Sequence, residues 1–323
     1  MRSPAHRLAV LALVMATGVG GCTGEDLDPA HATESEAEPL RLGRVHVLLE
    51  PEADQADQAD VDYVDALEIT ARFAFVRGLD EDFVRARIDM PVLPTEVIEP
   101  SHCVASDTLA TVDVLGAPGT EPQELHLVDA GELRLQIGDE PEDSFEVPVS
   151  LVPDLLPYMT GFEYLYYGDQ LPSALSDDGS TAVVVEARGS QTEELPPFHA
   201  EGVVPLAMQM VVTEADLREL GRGALVLHWI GAESGTESDE LVTLRLVGQR
   251  RGEPVGGELT CVVSDVGETR LVLDNLRTLG LAPNADSLRV TASRLQVSQF
   301  DAGDFVGSEM FVERRERLVL PLR

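Results

Sequence analysis

Lysine is absent from this 323-residue chain, so its 23 basic side chains are all arginine, set against 58 Asp plus Glu for a formal net charge of −35 at pH 7. Without lysine there is no Schiff-base chemistry and no P-loop phosphate site. The acid excess argues against nucleic acid or anionic membrane surfaces as direct partners, since both are bound through extended basic patches. Aromatic residues are scarce, and cysteine occurs only at positions 22, 103 and 261. The apolar run from Leu8 to Ala16 is far too short for a stable bilayer span. No Gly-x-Ser-x-Gly elbow, His-Glu-x-x-His pair or nucleotide-type glycine fingerprint occurs, so no catalytic residue, metal ligand or cofactor is assigned. What is present is a 44% hydrophobic composition, enough for one large or two ordinary domains.

The first residues carry an address. Arg2, His6 and Arg7 form a basic region, Leu8 to Ala16 an apolar one, and small residues follow, which is the layout of an export signal. The run Val19-Gly20-Gly21-Cys22 resembles the lipobox of bacterial lipoproteins, which are cut before the cysteine. That resemblance implies a signal peptide over 1–21 and lipidation (diacylglyceryl plus an acyl chain such as palmitate) at Cys22. At ~0.8 kcal/mol per buried CH₂, several chains anchor stably where one does not. Thr23 follows in place of the Asp that marks inner-membrane retention, which implies outer-membrane delivery. The competing reading is an ordinary secretory signal cut elsewhere in the glycine-rich stretch. Residues 22–41, rich in Glu, Asp, Ala and Pro, predict an acidic flexible tether.

With Cys22 acylated, Cys103 and Cys261 remain, each opening a similar pentapeptide, Cys-Val-Ala-Ser-Asp and Cys-Val-Val-Ser-Asp. An exported chain meets an oxidising compartment, so the two form either a disulfide or two separately buried thiols; spacing does not choose between them.

From position 42 the dominant signal has period two. Segments 44–50, 67–76, 132–137 and 181–187 alternate or are β-branched between Gly, Pro and Asp clusters, and read as strands. Helical patterns are confined to 214–220, after the N-cap Thr213, and 274–279, before Gly280. After Pro196-Pro197, strands are predicted over 224–230, 241–247, 258–264, 269–273, 287–297 and 317–322. This spacing predicts a sandwich. The strand ending near Trp229 and the turn Leu281-Ala-Pro283 leading into a strand resemble fibronectin type III or Ig-like domains, with Leu288 where that family commonly has tyrosine. The expected fold is mainly β: two antiparallel β-sandwich domains, an acidic one over 42–195 and an Ig/fibronectin III-like one over 196–323. The layout is also similar to that of two-domain lipoproteins of GC-rich Gram-negative bacteria.

Two clusters could bind something. Asp54, Asp57, Asp60, Asp62 and Asp65 supply hard oxygens suited to Ca²⁺, but they lack the glycine turn and closing glutamate of an EF-hand, and diffuse divalent-cation association is the expected behaviour. Tyr158, Phe162, Tyr164, Tyr166 and Tyr167 form an aromatic run, readable as an exposed strip for a glycan or an envelope protein or as an inner sheet face. Of the histidines in the body, His46 and His228 lie on alternating strands, and His102 adjoins Cys103; none forms a local ligand pair.

The function expected from these features is a lipid-anchored envelope protein with a non-catalytic binding or structural role. The rivals are an envelope hydrolase whose carboxylate pair is assembled from distant strands, and a divalent-cation-dependent adhesion module. Charge is unevenly spread: 22–195 carries 39 acids and 8 arginines, and 196–323 carries 19 acids and 13 arginines. The acidity therefore belongs to the tether and the first part of the body.

Overall fold

The side-chain alternation of the sequence becomes seventeen strands and three short helices among the described residues. The computed structural model describes residues 39–322 apart from 51–66, 107–123, 231–239 and short stretches at 80, 82–83, 86–87, 89–92, 141–143, 157–158, 170, 173–174, 177–178 and 193–194. Residues 37–323 form one unit, and 1–36 lie outside the described residues.

Ten strands make one sheet. They are β1 (Leu40–Leu49), β2 (Leu67–Arg77), β3 (His102–Ala105), β4 (Glu124–Leu127), β7 (Val149–Leu156), β8 (Met159–Gly168), β13 (Leu241–Arg250), β14 (Glu253–Ser264), β16 (Ser287–Ala302) and β17 (Phe305–Pro321). Their order is β3-β14-β13-β16-β17-β1-β2-β4-β8-β7. A second sheet, β10-β9-β5-β6, comprises β5 (Leu133–Ile137), β6 (Ser144–Val147), β9 (Ala182–Ala187) and β10 (Phe198–Val203). A third, β11-β12-β15, comprises β11 (Gln209–Val211), β12 (Ala224–Ile230) and β15 (Glu268–Val272).

The small sheets pack on one face of the large one and create two apolar cores. In the first, Val45, Val47 and Leu49 of β1 and Leu67, Ile69, Ala71 and Phe73 of β2 meet Leu133, Leu135 and Ile137 of β5 and Val183 and Val185 of β9. In the second, Val242, Leu244 and Leu246 of β13 and Leu288, Val290 and Ala292 of β16 meet Leu225, Leu227 and Trp229 of β12. Each set skips alternate residues, as a sheet with one covered face requires. Between the cores the same face turns polar, with Arg294 on β16 opposite Arg314 on β17. A smaller apolar cluster on the outer face joins Leu42, Ala74, Val76, Leu125, Leu127 and Phe311 to Val84 and Ile88.

The mainly β class is as the alternation predicts, whereas the large sheet takes strands from both sides of the expected boundary at Leu195/Pro196. β1 pairs in parallel with β17, from Arg44 opposite Glu309 to Leu49 opposite Arg314. The hairpin β16-β17 runs well past its expected ends, and its distal part supplies Phe300, Ala302, Phe305, Met310 and Val312 to the first core. The two cores are therefore fused through one long hairpin.

The helices are small; the two over 214–220 and 274–279 sit where Thr213 and Gly280 predict, and a third, at 94–97, was not expected. α1 (Pro94–Val97) lies against β13 and β14. α2 (Glu214–Leu220) starts in a capping box: the Thr213 hydroxyl accepts from the Asp216 amide, and the Asp216 carboxylate accepts from the Thr213 amide. α3 (Leu273–Leu279) ends at Gly280, whose φ of 127° favours glycine.

Tyr164 shows how the first core is tied to its turns. Its hydroxyl donates to Asp129 Oδ1 at 2.7 Å and accepts from the Ala130 amide at 2.8 Å. Burial, with the Asp129 carboxylate beside it, pushes the phenol well above its ordinary range. That turn and the one facing it after β9 each need glycine, because Gly131 and Gly189 both have positive φ and a Cβ on Gly131 would overlap the Gly189 carbonyl. Tyr164→Phe is expected to cost about 1–3 kcal/mol, because it leaves the buried Ala130 N–H unpaired. Urea unfolding measures it, and a loss well under 1 kcal/mol would mean that water replaces the phenol.

Candidate functional site: the charged outer face

The densest cluster of buried charge lies on the outer face of the large sheet, where β1 and β17 run side by side. Positions that alternate with the core residues put Arg44 and His46 of β1 beside Glu309, Phe311 and Glu313 of β17. Arg44 Nη2 lies 3.0 Å from His46 Nδ1. A guanidinium only donates, so Nδ1 accepts, and the ring proton sits on Nε2. From there it donates to Glu313 Oε2 at 3.2 Å. Arg315 grips the same carboxylate with two nitrogens, at 2.8 and 2.9 Å. Burial opposes ionisation of Glu313, but the hydrogen bond from His46 and the charge of Arg315 outweigh it and hold the carboxyl well below the usual range.

Around this centre the pattern repeats. Arg317 Nη2 meets Glu50 Oε1 at 2.6 Å, with Glu50 itself buried. Arg72 donates to Glu163 from Nε and Nη2, and Arg85 to Glu309 at 2.7 Å. The Arg44 guanidinium also lies 5.9 Å from the Phe311 ring centre, within cation–π range. Each buried carboxylate here is held by an arginine. That is an arrangement for ordering three strands. A general acid needs instead a carboxyl with a raised pKa that a substrate can reach; among the described residues, the carboxyl that burial raises is the half-buried Glu316 of β17, opposite Ala292 on the other face of the sheet.

On the inner face a second buried group lies between the cores. Asp265 accepts from Trp229 Nε1 at 2.7 Å and from Arg294 Nε and Nη2 at 2.7 and 2.8 Å. Arg294 Nη1 donates on to the carbonyls of Leu206 and Ala207. Asp265, Arg294 and Trp229 are each at most 5% exposed, and the polar atoms named are satisfied within the protein.

Two of the concavities among the described residues lie on the second sheet and beside α2. One, of about 580 Å³, is lined by Glu132, Arg134, Glu186, Arg188, Phe198 and His199 on the second sheet. Both of its arginines, Arg134 and Arg188, pair with Glu132. The other, of about 260 Å³, lies beside α2 and is lined by Leu217, Arg218, Leu220, Gly221 and Pro321.

Cys103 and Cys261 sit opposite each other on β3 and β14 and are joined as a disulfide, with Cα atoms 4.0 Å apart. The described members of the aromatic run do not make an exposed strip. Tyr164 is in the first core and Tyr166 packs against it, 5.3 Å from Phe145 between ring centres, while Phe162 is half-buried and Tyr167 is exposed. The physical reason is that this face of β8 is turned toward the second sheet. Tyr158, Cys22 and the aspartates at 54, 57, 60, 62 and 65 lie outside the described residues. No group of three or more metal-capable side chains occurs among the described residues.

His102 is exposed and bonds its own turn at Pro100. His228 is 3.2 Å from the capping Asp216, whose carboxyl stays below its ordinary range because the bonds with Thr213 and the nearby imidazole outweigh burial. The sequence reading missed the His46–Glu313–Arg315 and Trp229–Asp265–Arg294 groups. The one signal it held was unusual, an arginine or glutamate at many β17 positions that a two-faced strand would bury.

No protein-family model, curated protein or solved structure matches the chain.

Proposed function

We propose that the protein is a lipid-anchored component of a bacterial outer envelope with a binding or structural role and no chemistry of its own. The observation that carries this reading is the run Val19-Gly20-Gly21-Cys22 behind a short apolar stretch and ahead of an acidic, apolar-poor segment. The body adds support. Its large sheet is covered by two smaller sheets over two apolar cores, an arrangement that supports two fused Ig/fibronectin III-like sandwiches. Three of its buried carboxylates, Glu50, Glu313 and Asp265, are each bound by arginine, and a further one, Asp216, is held by Thr213 and His228 in the cap of α2, which favours a scaffold over a hydrolase built on a carboxylate pair.

Cys22→Ser is the test. Mass spectrometry of the wild type is expected to show a mature chain starting at an acylated Cys22, and the variant is expected to leave the membrane fraction for the soluble one. A wild-type N-terminus that starts elsewhere and carries no lipid would sink the reading.

A further inference from the structure

The outer face of the large sheet holds a second set of arginines beside the His46–Glu313 cluster, and two of them are unusual for this chain. Arg245 on β13 and Arg289 on β16 are half-buried, and neither makes a hydrogen bond or ion pair among the described residues. Acids outnumber arginines by 58 to 23 in the sequence, so a guanidinium left without a carboxylate here is not the result of scarcity.

The strand register puts them together. Arg245 is opposite Thr291, and Thr291 is opposite Arg317 on β17, so the three form one row across neighbouring strands. Arg289 lies two residues along β16 from Thr291, a cross-strand diagonal to both Arg245 and Arg317. Such diagonals are roughly 7–8 Å apart, within reach of two arginine side chains bending toward one guest. All four positions alternate with Leu244, Leu246, Leu288, Val290 and Leu320 of the second core, so they share the face turned away from it.

Around this row the face carries Arg315 and Arg317 with the buried Glu50 and Glu313, Glu68 of β2 acting on Arg315, and the exposed Glu258 of β14 opposite Val247, while the Arg44–His46–Glu309 and Arg72–Glu163 groups lie farther across the sheet on β1, β17, β2 and β8. Arg315 is taken by Glu313, and Arg317 gives one nitrogen to Glu50. The Arg317 Nε–H is buried with no acceptor among the described residues. The face therefore has two unspent guanidiniums, part of a third, and a threonine hydroxyl, all donors.

We propose that Arg245, Arg289, Thr291 and Arg317 form a binding site for a phosphate-type oxyanion, either free or as the monoester end of a small ligand. Donors arriving from three strands suit a tetrahedral anion with three or four oxygens better than a planar carboxylate with two. The net acidity of the chain does not cancel such a site, because charges more than about 8 Å away are screened at physiological salt. One compact site of this kind is also distinct from the extended basic track that nucleic acid needs. The site stands whether or not Cys22 is acylated.

Isothermal titration of the full chain in non-ionic detergent with inorganic phosphate tests it. Saturable one-to-one binding is expected, with sulfate competing and acetate not. Arg245→Gln and Arg289→Gln are each expected to weaken it by about tenfold or more, while Arg218→Gln, on α2 and away from the face, leaves it unchanged. A soluble short-chain phosphatidic acid separates the sources of the phosphate: competition at lower concentration than inorganic phosphate assigns a lipid headgroup, and no competition assigns a free anion, with either result supporting the site. Absence of saturable uptake by the wild type, or binding retained in both glutamine variants, overturns the proposal. The wild-type titration decides even where a variant does not fold.

Discussion

Asp265→Ala is expected to destabilise the protein by about 3–5 kcal/mol, the range for breaking a buried ion pair from one side. The substitution removes the acceptor for Trp229 Nε1 and for two nitrogens of Arg294. It leaves a guanidinium buried between two apolar cores with only the Leu206 and Ala207 carbonyls to bond. The sign depends on which partner is removed. Replacing both, as in Asp265→Leu with Arg294→Met, deletes the charge with its counter-charge and is expected to cost far less than the sum of the single changes. Urea unfolding of the four proteins closes the cycle. If Asp265→Ala costs under 1 kcal/mol, water must reach Arg294, and the polar wall between the cores is wetter than its burial indicates.

That wall also explains what the sequence made legible and what it concealed. Period-two alternation located the strands on either side of it, and the Thr213 and Gly280 caps located α2 and α3. Alternation reports which face a residue takes and is silent on which strand lies beside it. Two separate sandwiches were therefore the simplest expectation, and the parallel β1–β17 pairing was not visible. The distal part of β16 hid for a related reason. Leu295, Gln296, Val297 and Gln299 are all exposed, so this stretch lacks the alternation that continues the strand to Phe300 and Ala302 in the first core.

The charged clusters were harder still. Asp265 lies in a Ser-Asp-Val-Gly turn, where aspartate ordinarily faces solvent and bonds the local backbone, yet its partners are 36 and 29 residues away. Glu313 and Arg315 are two apart on β17, a spacing that puts them on one face, but His46 comes from the other end of the chain. No local motif encodes contacts of that separation. The aromatic run was the opposite case, local and conspicuous, readable as an exposed strip or as an inner sheet face, and Tyr164 takes the inner place, with its ring in the core and its hydroxyl on the turn at 129–131.

Cys103→Ser with Cys261→Ser is expected to cost about 2–5 kcal/mol. The bond joins residues 158 apart in sequence, and in the loop-entropy account a closure that long restricts the unfolded chain by about 5 kcal/mol, less whatever order that chain retains. A native-state contribution adds to it. β3 is a four-residue strand at the edge of the large sheet, paired among the described residues with β14 alone, and short edge strands with one neighbour fray. Cys261 is fully buried in the second core while Cys103 packs against it only partly buried, so the bond fastens an edge to an interior. Removing it changes the unfolded state as well as the folded one. The slope of the urea transition is therefore expected to rise, and extrapolated free energies must be compared in place of midpoints. Proteolysis near β3 separates the two contributions. If the double serine variant loses stability but β3 stays as protected as in the wild type, the effect is confined to the unfolded chain. If stability is unchanged, the disulfide contributes nothing that β3–β14 pairing does not already supply, and the prediction is wrong.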